Sequence, residues 1–319
     1  MTILGSFFSK MIRTRSLAKI NLDLRVLNKR KDGYHELRTI FQTVSLGDTI
    51  EMAYQPGQTR IDINSNLKIA DNLIVRAADS VLRTTKKTGR LGFVLSKRIP
   101  LGGGLGGGSS NAAAVLLALP ALLGKPLPMA KLHELAVELG SDVPFFLLGG
   151  SAVGLGRGTE LYPLPDLPPR PALLITPPIH VSTPAAYRAL ERKTTHESAR
   201  QIAEFQAVAS QLNSRCKNDF ESVVFQQHPQ LKSIKGKLLR LGARPALMSG
   251  SGSTIFGIFP NRQLRDSAAQ VFRNEDSGNQ VFSVTLVSRN RYHSLWRRQL
   301  APLGDSKLWP WPQHDRYAR

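Results

Sequence analysis

A single cysteine, Cys216, stands in 319 residues. That scarcity excludes a disulfide framework and any zinc site built from several thiolates, and it suits a reducing compartment. No run of 18 or more apolar residues occurs, so no transmembrane helix is expected. Acidic residues are few: 23 Asp and Glu against 43 Lys and Arg leave a net charge of +20. No acidic cluster announces a metal site. The remaining composition, 41% hydrophobic and 21% charged, excludes wholesale disorder. The positive excess points to nucleic acid, an anionic membrane or a phosphorylated ligand, without choosing among them.

The charge is uneven. Residues 1–40 hold nine basic residues against three acidic ones, and residues 287–319 hold seven against two. About half the excess therefore lies near the two ends, and Trp296, Trp309 and Trp311 all fall in the last 24 positions. Ends of this kind read as solvated tails. Residues 1–16 are accordingly expected to be an extension, with Met11 as a second possible start, and 301–319 a C-terminal tail. Residues 1–15 lack the apolar core and small-residue cleavage site of a signal peptide.

Between the ends, apolar runs at 17–26, 39–46, 48–54 and 60–63 read as strands. Asp71 is placed to cap a helix over 72–84. A strand at 91–95 leads to a glycine-rich loop, and helices follow at 110–123 and 129–139. Five prolines between Pro163 and Pro171 mark a boundary between domains at 17–165 and 172–300. The second part reads as a strand at 172–176, helices at 199–212 and 229–241, strands at 246–249 and 253–259, a helix at 263–274 and a strand at 281–287. That order matches part of a split βαβ, ferredoxin-like sandwich.

Four segments carry chemistry. Pro100-Leu-Gly-Gly-Gly-Leu-Gly-Gly-Gly-Ser-Ser-Asn111 places six glycines in seven positions immediately before an apolar Ala/Leu helix. Backbone N–H groups free to converge on one point, joined by the positive end of a helix dipole, suit phosphate. The spacing matches neither a P-loop nor a dinucleotide fingerprint. Leu139-Gly-Ser-Asp-Val-Pro-Phe-Phe146 puts Asp142 at the start of a short helix, as an N-cap or as a proton acceptor. In Ala18-Lys19-Ile20-Asn21-Leu22, strand alternation sets Lys19 and Asn21 on one face, and an inward lysine needs a partner such as Asp142. Met248-Ser-Gly-Ser-Gly-Ser-Thr-Ile255 is a second Gly/Ser loop between apolar strands, by itself little more than a hairpin turn.

Together these segments resemble the GHMP kinase superfamily over residues 17–286. The resemblance implies an α+β, two-domain fold: an N-terminal ATP-binding α/β sandwich and a C-terminal ferredoxin-like domain, with the active site in the cleft between them. Within the superfamily, Lys29-Arg-Lys-Asp-Gly-Tyr-His-Glu-Leu37, Phe41-Gln42, Asp71-Asn-Leu-Ile-Val-Arg-Ala77 and the Asp142 segment look like the branch acting on a cytidine-diphosphate-linked methylerythritol. That branch moves the γ-phosphate of ATP to a 2-hydroxyl, in the non-mevalonate route to isoprenoid precursors.

By that resemblance Asp142 is the base and Lys19 stabilises developing negative charge. Gly102, Gly103, Gly104, Leu105, Gly106, Gly107, Gly108, Ser109 and Ser110 hold the ATP phosphates. Asn72, Leu73 and Lys97 line the adenine pocket. His35 reads cytosine, Tyr34 stacks on it, Tyr187 closes the sandwich, and Thr183 and Asn21 hold the diphosphate or erythritol portion. Mg²⁺ is expected from the γ-phosphate charge, with Ser109 or Ser110 as contributors. Other expectations are a cytoplasmic monomer or homodimer with no specific nucleic acid and no membrane partner. The rivals are homoserine or mevalonate-pathway kinases, which share the phosphate loop, and a basic nucleic-acid-binding protein.

Overall fold

In a computed structural model, the structure describes residues 10–31, 33–190, 216–275, 277–304 and 310–311. The helix expected at 199–212 and most of the tail beyond 304 lie outside them. Among the described residues no helix is long and apolar enough to cross a membrane.

The first sheet is organised by one long strand. β2 (His35–Pro56) pairs along most of its length with β1 (Lys10–Lys29), through its C-terminal half with β4 (Gly89–Ser96), and through its N-terminal half with β5 (Ser151–Gly156). β3 (Arg60–Ser65) runs parallel to β4, and β6 (Glu160–Pro163) closes the other edge against β5. β1 starts well before the expected residue 17. Residues 10–16, anticipated as an extension, pair in register from Lys10 opposite Tyr54 to Ser16 opposite Asp48. Ile12, Thr14 and Ser16 are buried while Arg13 and Arg15 are exposed, and this alternation of burial is that of a strand lying on a core.

α1 (Leu73–Thr85), α2 (Gly107–Leu122), α3 (Met129–Leu139) and α4 (Val143–Leu148) cover this sheet. Asn72 rather than Asp71 caps α1: its side-chain oxygen accepts from the Ile74 N–H at 3.0 Å, whereas Asp71 takes a left-handed conformation. α2 begins three residues earlier than its apolar run, because the loop glycines form its first turn and the Ser110 N–H donates to the Gly106 carbonyl. It is apolar almost all round, which marks a central buried helix. On α3 the expected Leu132, Leu135, Ala136 and Leu139 are the buried face.

Beyond the proline-dense stretch, β7 (Pro171–Thr176), α5 (Thr183–Leu190), α6 (Glu221–Gln227), α7 (Pro229–Arg240), β8 (Ala246–Met248), β9 (Ile255–Ile258), α8 (Arg262–Arg273) and β10 (Gln280–Thr285) follow. Their antiparallel sheet has the order β10-β7-β9-β8, which is the split βαβ, ferredoxin-like order. The two sheets share a buried seam in which Ala18, Ile20, Leu22 and Leu105 meet Leu174, Phe256, Ile258 and Leu286. α9 (Arg289–Leu300) then returns to the first core, where Tyr292, Trp296, Leu300 and Trp311 are buried. The basic, aromatic end is built into the fold, and the expectation of a solvated tail does not hold for these residues.

Candidate active site

Strand alternation sends Ala18, Ile20 and Leu22 into the seam between the sheets and leaves Lys19 and Asn21 on the opposite side, both buried. A buried ammonium is costly without partners. Lys19 Nζ lies 3.2 Å from Asp142 Oδ2, donates to Asn21 Oδ1 at 2.8 Å and stands 5.6 Å over the Phe41 ring. Asn21 links both domains: Oδ1 also accepts the Gly250 N–H at 3.0 Å, and Nδ2 donates to Thr39 Oγ1 at 2.8 Å. Asp142 occupies the N-cap position of α4, yet its side chain makes no capping bond. Its carboxylate faces Lys19 and stays one-third exposed, so it is open to a ligand.

The glycine loop is shaped by what it packs against. At Gly104, φ is +74° and an added Cβ would lie 2.0 Å from the Ser249 carbonyl oxygen, so only glycine fits. Gly106 (φ +68°) is equally confined, with Phe146 of α4 2.8 Å from the Cβ it lacks. Ser249 Oγ donates to the Gly104 carbonyl at 2.9 Å, and the Thr254 N–H donates to Gly103 at 3.3 Å. The second Gly/Ser loop is therefore a backing for the first rather than an ordinary hairpin. Leu105 points into the inter-sheet seam.

Three residues expected at the nucleotide have other engagements. The Ser110 hydroxyl is buried and donates its proton to the Leu17 carbonyl at 2.6 Å, so that proton is not free for a phosphate oxygen; Ser109 is half-buried. The Lys97 side chain is only 1% exposed, with Nζ 2.6 Å from Asp48 Oδ2 and donating to the Ile99 carbonyl at 2.9 Å. Burial lowers its pKa, and Asp48 opposes that. It braces the loop from beneath instead of lining an adenine pocket. The Asn72 side-chain oxygen is spent on capping α1, while Leu73 lies beside Gly108 at the start of α2.

A cavity of about 180 Å³ opens over the Lys19–Asp142 pair. Asn21, Thr39, Phe41, Gly104 and Gly106 line it from the first domain, and Thr183, Tyr187, Phe220, Gly250 and Ser251 from the second. Thr183 and Ser251 share a 2.7 Å hydroxyl contact. Tyr187 stacks on His35, with centroids 4.9 Å apart and planes 20° from parallel, and meets Phe220 edge-on. Burial, and secondarily the Asp142 charge, raises the Tyr187 phenol, so it remains protonated. Tyr34 is half exposed and carries the Arg157 guanidinium 3.5 Å from its ring centroid. The expected Tyr34–Tyr187 sandwich is thus not preformed, because each ring already has a different partner.

Residues 72–150 match the model for the GHMP kinases N terminal domain, and residues 188–277 that for the GHMP kinases C terminal domain. Over 304 residues the chain is 52% identical to 4-diphosphocytidyl-2-C-methyl-D-erythritol kinase of Solibacter usitatus, covering 93% of this chain and 95% of that one. This chain belongs to the 4-diphosphocytidyl-2-C-methyl-D-erythritol kinase family. Among solved structures, a 4-(cytidine 5'-diphospho)-2C-methyl-D-erythritol kinase is 38% identical with a TM-score of 0.74, covering 86% of this chain and 99% of that one. A homoserine kinase from Cytophaga hutchinsonii shares the fold at 20% identity and a TM-score of 0.69, covering 90% of this chain and 98% of that one.

As a member of the 4-diphosphocytidyl-2-C-methyl-D-erythritol kinase family the protein is a small-molecule kinase, and three features of its site were missed from the sequence. Asp48 accepts from Lys97 and from the Arg98 and Ile99 N–H groups at 2.7 and 2.8 Å, fixing the entry to the glycine loop. No local pattern marks it, since its partners lie about 50 positions away. Arg157, in the turn between β5 and β6, reaches the cavity. The third is the C-terminal segment. The Tyr292 hydroxyl, the Trp311 indole N–H and His293 Nε2 engage the Phe146, Leu147 and Leu148 carbonyls at 2.6, 2.9 and 3.0 Å. These are the last three carbonyls of α4, the helix that begins at Asp142. The spacing of Tyr292, Trp296 and Leu300, one helical face, was the available signal.

Proposed function

We propose that this kinase transfers the γ-phosphoryl group of ATP to the 2-hydroxyl of 4-diphosphocytidyl-2-C-methyl-D-erythritol, in the non-mevalonate route to isoprenoid precursors. The observation that carries the reading is the Lys19–Asp142 ion pair in a cavity bounded by the glycine loop on one side and Thr183 and Tyr187 on the other. Phosphoryl transfer through a loose transition state asks mainly for alignment and charge stabilisation. Asp142 accepts a hydrogen bond from the acceptor hydroxyl, aims it along the line of transfer and takes its proton late. Lys19, fixed by Asn21 and Phe41, offsets the negative charge that develops between donor and acceptor. N–H groups of the glycine loop and the first turn of α2 receive the nucleotide phosphates.

Among the described residues, no three His, Cys, Asp or Glu side chains gather as metal ligands. The donor set fits a Mg²⁺ that would be held largely by phosphate oxygens and water, with the half-buried Ser109 hydroxyl at the glycine loop as a protein contributor. Such an ion supplies charge neutralisation on the transferring phosphate. On the acceptor side Tyr187 and His35 form one wall, and Tyr34 offers its exposed ring surface to the cytosine.

Asp142→Asn keeps the shape and removes the proton acceptor. The turnover number is expected to fall by roughly 10²- to 10⁴-fold, with the KM for ATP nearly unchanged and an unaltered circular dichroism spectrum. Near-wild-type turnover in a folded variant would refute the assignment of Asp142.

A further inference from the structure

Lys217-Asn-Asp-Phe-Glu221 runs into α6 and fastens the second domain to β1 of the first. The Leu24 N–H donates to the Lys217 carbonyl at 2.8 Å and the Asp219 N–H to the Leu24 carbonyl at 3.0 Å, a short parallel bridge at Asn218. Two carboxylates reinforce it. Asp23, fully buried and gripped by the Arg25 fork at 2.6 and 3.1 Å, accepts the Lys217 N–H at 2.9 Å. Asp219 accepts the Val26 N–H, also at 2.9 Å. Desolvating that much charge is costly for stability alone.

Asn218 is carried by this clasp and reaches toward the second Gly/Ser loop. It is buried, its Nδ2 donates to the Met248 and Gly250 carbonyls, both at 2.7 Å, and its Oδ1 accepts the Phe220 N–H at 3.0 Å. Two carbonyls facing one group call for a pair of donors, which an amide supplies and a carboxylate does not. Gly250 is thereby held from two sides, since its own N–H donates to Asn21 Oδ1 at 3.0 Å. That same oxygen accepts from Lys19 Nζ at 2.8 Å. A Cβ on Gly250 would stand 3.4 Å from the Gly104 Cα and 3.6 Å from Lys19 Nζ. Both supports of Gly250, Asn21 directly and Leu24 through Asn218, hang from β1.

We propose that Asn218 is a positioning residue for phosphoryl transfer: it fixes Gly250 against Asn21 and the glycine loop, and so sets where Lys19 stands relative to Asp142 and the transferred group. The proposal rests on Lys19 acting in that transfer. Asn218 is not among the residues lining the cavity, so its removal acts on turnover more than on substrate binding.

Steady-state kinetics of the full chain with ATP, Mg²⁺ and 4-diphosphocytidyl-2-C-methyl-D-erythritol, run well below the melting transition, test it. Asn218→Ala should lower the turnover number roughly 10- to 100-fold and keep both KM values within about threefold. Asn218→Asp, which sets an oxygen against the two carbonyls, should lose at least as much. Because Asn218 and Asn21 act through the same glycine, Asn21→Ala/Asn218→Ala should turn over about as slowly as Asn21→Ala alone. Val224→Ala, a cavity in the second core on α6, should lower the melting temperature comparably and leave turnover near wild type. A turnover number for Asn218→Ala no lower than that of Val224→Ala, or losses that multiply in the double variant, overturns the proposal. So does a rise in the acceptor KM at constant turnover, which would make Asn218 only a prop for the Phe220 wall. If wild type itself transfers nothing to this acceptor, the proposed function fails, and a crystal structure of Asn218→Ala decides the positioning: loss of the Gly250–Asn21 contact upholds it, and an unmoved Gly250 refutes it.

Discussion

Ser109 and Ser110 are adjacent at the start of α2 and have opposite surroundings. Ser110 turns inward to the Leu17 carbonyl, tying α2 to β1 next to Lys19, while Ser109 remains half-buried at the loop. Ser110→Ala should therefore cost about 1 kcal/mol of stability, read from urea unfolding, and leave the KM for ATP nearly unchanged. A large rise in that KM at constant stability would return Ser110 to the phosphate site. Sequence alone could not separate the two hydroxyls, because a helix start exposes one face and buries the next residue. Lys19 and Asn21 were readable because a strand repeats every second residue, and an inward lysine requires an anion. Lys97 was not: its partner Asp48 comes from a strand 49 positions earlier, and the resemblance alone had put it near adenine.

Among elements, α4 shows how remote parts of the chain bear on the reacting groups. It has six residues, too short to hold its own geometry by helical bonding. Phe146 touches Gly106 of the phosphate loop, and Phe145 stacks on Phe41, the ring beneath Lys19. Its three terminal carbonyls are held by Tyr292, His293 and Trp311. Trp311→Phe keeps an aromatic ring in the core but removes the indole N–H together with one of the two fused rings. It should lower the melting temperature by about 2 °C, reduce the turnover number severalfold and leave both KM values nearly constant. An unchanged turnover number alongside the lower melting temperature would reduce this segment to a purely stabilising role. The helix periods of α1, α3 and α8 were legible because each is amphipathic. The start of β1 was hidden by Arg13 and Arg15, whose exposed side chains alternate with buried Ile12, Thr14 and Ser16 and resemble a charged tail when read by composition.

Across the whole molecule, part of the net charge of +20 is carried by described residues near both ends that are built into the fold. Arg13 approaches Glu51, Arg15 donates to the Ser45 carbonyl, and the Arg15 N–H donates to Gln299 of α9, so the first strand and last helix meet. A positive field favours capture of polyanionic substrates and requires no nucleic-acid partner. The two-domain organisation was legible from the proline cluster and from the order of strands and helices. The return of α9 to the first core was not, because a helix whose polar face is basic gives no hint of which core its other face joins. The proposed function separates this kinase from others of the same fold by its acceptor substrate. The most direct measurement is phosphorus NMR of the purified protein with ATP, Mg²⁺ and, in parallel, 4-diphosphocytidyl-2-C-methyl-D-erythritol, homoserine and mevalonate. A new phosphomonoester signal at the 2-position of the first compound alone is the expected result; transfer to homoserine or mevalonate with none to the cytidine substrate would contradict the proposed function.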